Sequence, residues 1–146
     1  MSFQTTLNRD IPRGVAGDFA STNPRNSMLA GEGALVAGEP ITVGQFAFAD
    51  LDTGKVFSEF VAGLVIGFVH RNNQAVVALG QRASMIIPTG KELALFTNGD
   101  FYVVAPGAVT AGDAVYALDA DGSVQSQQAL RPPTSSSPKA PRPATW

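Results

Sequence analysis

The side chain with the widest chemical reach in this 146-residue chain is His70, its single histidine, which follows an apolar run and stands directly before Arg71, Asn72 and Asn73. An imidazole titrates near neutral pH and serves as a general base, proton shuttle or metal ligand. Each of those tasks needs company. A metal site needs further His, Cys or carboxylate ligands, and a Ser-His-Asp relay needs a positioned serine. The chain has no cysteine, which removes thiolate nucleophiles, disulfides and Cys-based zinc sites together. His70 is therefore read as structural, at the junction of a strand and a turn.

Two acidic turns, Asp50/Asp52 and Asp119/Asp121, invite a calcium reading. A calcium loop of the EF-hand kind needs an oxygen ligand at its fifth position and a Glu at its twelfth. Counted from Asp50 those positions hold Gly54 and Val61, and from Asp119 they hold Ser123 and Leu130. Both loops fail, and the carboxylates are expected to cap their own backbone amides. The glycine clusters Gly-Val-Ala-Gly (14–17) and Ala-Gly-Glu-Gly (30–33) are followed by no Gly-Lys-Ser/Thr and are not phosphate loops. Phe101 and Tyr102 suit stacking on a sugar or base, but at strand spacing such a pair is more commonly core and rim. No catalytic residue, cofactor or metal is expected, and the protein is read as not an enzyme.

The elements that would position these residues are strands. From Leu35 onward short apolar runs alternate with turn signals: Asp50-Leu51-Asp52-Thr53-Gly54, Asn72-Asn73, Pro88-Thr89-Gly90, Asn98-Gly99 and Asp119-Ala120-Asp121-Gly122. About nine short strands with turns every eight to twelve residues, and no amphipathic helix, predict an all-β fold, a compact jelly-roll-like β-sandwich or β-barrel. Asn98-Gly99 is the strongest hairpin signal and predicts a return strand over Phe101–Val104. The run Phe60–Val69 reaches about half the length of a membrane-spanning helix and reads as a buried strand. Residues 1–33 form an irregular N-terminal arm, 34–130 the β-domain, and 131–146 a Pro/Ser-rich tail with little apolar surface to order it. The N-terminus lacks the apolar stretch of a secretory signal.

One phrase is written twice. ITVGQFAFADLDTGKV (41–56) and VTAGDAVYALDADGSV (109–124) align Thr42 with Thr110, Gly44 with Gly112, Phe48 with Tyr116 and Ala49 with Ala117. Either a duplication or the convergence of β-hairpins on similar words accounts for it.

Charged residues make up 15% of the chain and the net charge is −2. Against roughly 25% charged residues in an average soluble protein, this predicts a neutral surface suited to a covering partner. Scattered Lys and Arg exclude nucleic acid as the natural partner, and no segment points to a membrane.

Taken in order, GVAGDFASTNPR (14–25), LAGEGALVAG (29–38), TVGQFAFAD (42–50), GFVHRN (67–72), ASMIIPTG (83–90), GDFYVV (99–104) and AGDAVYALDADGSV (111–124) resemble the decoration, or structural cement, proteins of tailed-bacteriophage heads. The resemblance covers most of residues 14–124. It implies a small β-protein on the outer surface of the capsid, assembled in the bacterial host cytoplasm, that bridges neighbouring major capsid protein subunits and has no catalytic role. Relatives associate as dimers or trimers at local symmetry axes, so a homo-oligomer is expected. The chain departs from the family pattern after Leu130, where relatives run on into a closing strand.

Chemistry and position nominate the interface with the capsid or a neighbouring copy. Arg9, Arg13 and Arg25 suit carboxylates. Phe19 and Met28 suit apolar pockets, Asp18 and Asn23 belong to the same phrase, and Trp146 is a terminal anchor. A tail or fibre module that binds glycan through Phe101, Tyr102 or Trp146 is the competing reading, and a small enzyme working through His70 a third. His70→Ala is expected to leave a cement protein nearly unchanged.

Overall fold

The computed structural model describes residues 14–29, 33–72 and 84–126. Among them there is no helix, and the all-β expectation holds. Ten strands follow in chain order: β1 (Asn26–Ser27), β2 (Val36–Ala37), β3 (Ile41–Thr42), β4 (Phe46–Asp50), β5 (Lys55–Phe57), β6 (Val65–Val69), β7 (Ile86–Ile87), β8 (Leu95–Asn98), β9 (Val115–Ala117) and β10 (Val124–Ser126). Six of them form one sheet in the order β1-β8-β6-β4-β5-β2, which curls into half a barrel. Only the β2–β5 pair in it is parallel. Two small ribbons, β3–β7 and β9–β10, complete the fold.

Strand alternation sorts the central side chains by size, because successive residues point to opposite faces. Ala47 and Ala49 of β4 join Val56, Val69 and Leu95 in a core closed by Leu35, Ala37, Ile41, Val43, Ile87 and Leu93. Gly67 lies opposite Ala47, and a Cβ there would sit 2.9 Å from the Leu95 Cβ. Small residues on this side let the sheet curl around its core. The other side carries Phe46, Phe68 and Phe96, which lie across from one another on β4, β6 and β8.

The hairpin predicted at Asn98-Gly99 does not form. β8 is flanked by β6 on one side and by β1 on the other, so no edge remains for Phe101–Val104. The chain turns instead onto the N-terminal segment. Ala20 donates to Asp100 O, Tyr102 to Asp18 O and Gly17 to Tyr102 O, at 2.8–2.9 Å. Residues 14–29, read from sequence as part of an irregular arm, thus contribute an edge strand and a second backbone ladder to the domain. The strand expected over Gln74–Leu79 lies outside the described residues.

The repeated phrase is repeated in space. In the first hairpin Ala49 pairs with Val56 and Phe48 with Phe57. In the second, at a constant offset, Ala117 pairs with Val124 and Tyr116 with Gln125. Both turns close with the same bond, from Gly54 N to Asp50 O and from Gly122 N to Leu118 O, each 2.8 Å. Both glycines have φ of 68°, a left-handed conformation that costs other residues energy.

Candidate functional site

His70 is the hinge pin of the N-terminal segment. Its Nδ1 donates to Gly17 O at 2.8 Å, since a carbonyl can only accept. Its ring stacks on Phe19 with centroids 4.1 Å apart. Phe101 completes the cluster, 4.6 Å from Phe68, 5.2 Å from Phe19 and 5.6 Å from Phe96. Such aromatic pairs contribute about 0.5–1.5 kcal/mol each beyond their burial. The imidazole is engaged in holding the 14–29 segment to the end of β6, and no group of three metal-ligating side chains occurs among the described residues.

The nominated interface residues divide into three groups. Arg9, Arg13 and Trp146 lie outside the described residues. Phe19 and Met28 pack within their own chain, Phe19 in the aromatic cluster and Met28 against the core. Asp18, Asn23 and Arg25 are partly or fully exposed but have local partners. Arg71 reaches Asp18 at 3.1 Å, a surface pair of the kind that contributes about 0–1 kcal/mol. The Arg25 guanidinium lies 3.8 Å above the Phe19 ring. Asn23 donates to Asp100 at 2.7 Å, beside the Ser21 hydroxyl at 2.6 Å. Those two bonds, the serine's first, hold the Asp100 carboxyl below its ordinary range.

The acidic turns spend their carboxylates on their own chain. Asp50 accepts from the Thr53 hydroxyl at 2.7 Å and the Asp52 amide at 3.0 Å, and Asp121 accepts from the Ser123 amide at 2.9 Å. Glu39 accepts from both the amide and hydroxyl of Ser58, tying the β2–β3 link to the end of β5.

What remains unsatisfied is apolar. From Tyr102 to Leu118 every large apolar residue is exposed, Val104 at 75% and Val115 at 55%. Asp113 is the one charged residue in that span. A groove of about 260 Å³ runs between this segment and the sheet, lined by Phe46, Phe68, Phe96, Phe101, Val103 and Val115 among others. Phe60, Val61, Val65 and Ile66, close in sequence, are also exposed. Soluble proteins seldom leave contiguous apolar surface uncovered, and such patches mark interaction sites. From sequence Phe60–Val69 is expected as a buried strand, but the strand is Val65–Val69 only, and Phe60, Val61, Val65 and Ile66 are exposed. The exposure of Val109–Leu118 has one signal in the sequence. The run Ala114–Leu118, AVYAL, carries no strongly polar residue on either face, which is the pattern of a strand covered on both sides.

A family model described as XM1 gp53 minor capsid protein matches residues 3–141 of the chain. No curated protein matches it, and no solved structure does.

Proposed function

Because the chain belongs to the XM1 gp53 minor capsid protein family, and is thus a structural, capsid-associated component of a phage virion, we propose that it acts as a decoration protein. In this reading it binds the outer surface of the head, bridges neighbouring major capsid protein subunits and stabilises the shell without catalysis. The observation that carries the reading beyond the family is the uncovered apolar surface of Phe60–Ile66 and Tyr102–Leu118 on a chain with only 15% charged residues. A free-standing protein gains nothing from such a surface, whereas a shell component buries it at each site. Multiplicity on a symmetric lattice then converts modest contacts into avidity. Arg9, Arg13, Asp18, Asn23, Arg25 and Trp146 remain the proposed contacts with the capsid or a neighbouring copy, whereas Phe19 and Met28 pack against their own chain.

Co-sedimentation of the purified protein with expanded capsids that lack it tests the role. Saturable binding at a fixed ratio to the major capsid protein is expected, weakened by Arg9→Glu/Arg13→Glu and by Val61→Asp. A deletion that probes the arm must stop before Gly14, because Asn26–Ser27 pairs with β8 and residues 17–20 share backbone hydrogen bonds with residues 100–102. Absence of binding at micromolar concentration would move the protein away from the head surface.

A further inference from the structure

The second hairpin repeats the first in pairing and turn but lacks its neighbour. In the first, the edge of β4 away from β5 is filled by antiparallel β6, with Ala47 opposite Gly67, Phe48 opposite Ile66 and Ala49 opposite Val65. In the second, the equivalent edge of β9 meets no strand and no backbone hydrogen bond among the described residues. Leu118 donates to Ser123 O across the hairpin. By the alternation of antiparallel ladders, Tyr116 therefore bonds to β10, while the N–H and C=O groups of Val115 and Ala117 point outward. The result is visible in exposure: Phe48 is 2% exposed and its counterpart Tyr116 42%.

The chain's own continuation is poorly made to fill this edge. Where the first copy returns beside β4 with Val65-Ile66-Gly67-Phe68-Val69, the same offset in the second copy holds Pro133-Thr134-Ser135-Ser136-Ser137. That stretch has no large apolar side chain, and Pro133 has no amide to give a ladder. The edge is also undefended. Natural edge strands carry lysines, prolines or bulges that discourage pairing, and AVYAL has no charge and no proline.

We propose that a second copy of this chain completes the edge: two β9 strands pair antiparallel about a two-fold axis at Tyr116, joining the hairpins into a four-stranded sheet β10-β9-β9-β10. A two-fold axis perpendicular to the strands makes the pairing isologous and antiparallel, the sense in which β6 meets β4. It sets Val115 of one copy opposite Ala117 of the other, so the outward groups of both are satisfied reciprocally. Within AVYAL only neutral side chains meet. This specifies the self-association of the proposed decoration protein and rests on that reading.

Because the 146-residue chain has no cysteine, Tyr116→Cys introduces a single thiol. Residues facing each other in a non-hydrogen-bonded antiparallel pair have Cα atoms about 4.5 Å apart, within disulfide range. Under oxidised glutathione most of the Tyr116→Cys protein is expected to run as a linked pair on a non-reducing gel, and Thr89→Cys, on an exposed turn, as a monomer. Light scattering of the unmodified protein should give twice 15.2 kDa. Tyr116→Lys and Ala117→Pro should halve that mass while circular dichroism and melting stay those of the folded chain. A monomer, a trimer indifferent to both variants, or a Tyr116→Cys no more cross-linked than Thr89→Cys overturns the proposal. So does protection of the Val115 and Ala117 amides only on capsids without a cross-link between copies, which assigns the edge to a capsid strand. Capsid binding is scored separately: a dimer that ignores capsids retains this interface and sinks the decoration role, and a monomer that binds them does the reverse.

Discussion

The carbonyl oxygen of Gly122 accepts a 2.8 Å hydrogen bond from the amide of Phe46, so the turn of the second hairpin is docked on the first residue of the central strand of the first. A Cβ at position 122 would run into the Phe46 carbonyl. Gly122→Ala should therefore cost about 2–4 kcal/mol, combining left-handed strain with a lost docking bond. Gly54→Ala, at the same φ in the equivalent turn, should cost about 1–2 kcal/mol. Guanidinium denaturation compares them, and equal losses would mean that the docking contact contributes nothing.

Counterpart residues should differ sharply in what they contribute to the fold. Phe48 is fully buried and packs edge-on against Phe60, so Phe48→Ala should cost about 3–5 kcal/mol. Tyr116→Ala should cost under about 1 kcal/mol at dilutions where copies do not associate. Urea melts of both variants at nanomolar concentration, read by fluorescence, would expose an error in either value.

His70→Ala should be felt, contrary to the expectation drawn from sequence that it would pass unnoticed. The substitution removes the stack on Phe19 and the bond to Gly17 O, together about 1–3 kcal/mol. It should also speed tryptic cleavage at Arg25, because the same cluster holds the 14–29 segment. Unchanged cleavage kinetics would remove His70 from that task.

Stability should fall on acidification below about pH 4.5. Glu39 is held below its ordinary value of 4.5 by the Ser58 hydroxyl and then its amide. Asp50 is held below 3.8 by the Thr53 hydroxyl and the Asp52 amide, and Asp121 by the amide and then the hydroxyl of Ser123. Across that window the unfolded chain binds more protons than the folded one, so stability rises with pH and is lost as these carboxyls protonate in the native state. Ser58→Ala should move the Glu39 titration, followed by carboxyl-resolved NMR, back toward 4.5, and no movement would assign the shift to another cause.

Local rules carried the reading from sequence where the structure is local. The two hairpins were legible because turn, glycine and alternation sit within sixteen residues of one another. Asn98-Gly99 misled because hairpin propensity ignores whether an edge is free, and in the folded sheet β1 occupies that of β8. The aromatic cluster was not legible at all, since Phe19, His70 and Phe101 share no segment and meet only when the sheet brings β6 and β8 together. Phe19 and Met28 were nominated for a partner for the same reason: an apolar residue in a polar stretch looks unclaimed until its distant contacts are known.

The pairing of Asn26 with Asn98 also sets an order of events during synthesis. The β4–β5–β6 meander is local in sequence and can form while the chain is still emerging, whereas β1 must wait for β8 and then close a long loop, a slow step for a nascent β-protein. Until β8 is made, residues 14–29, which carry β1, have no strand to pair with. Their glycines and asparagines, with Pro24, are poor strand formers and disfavour premature pairing with neighbouring chains, so the composition that reads as irregular in the sequence suits an edge strand whose place in the sheet forms late.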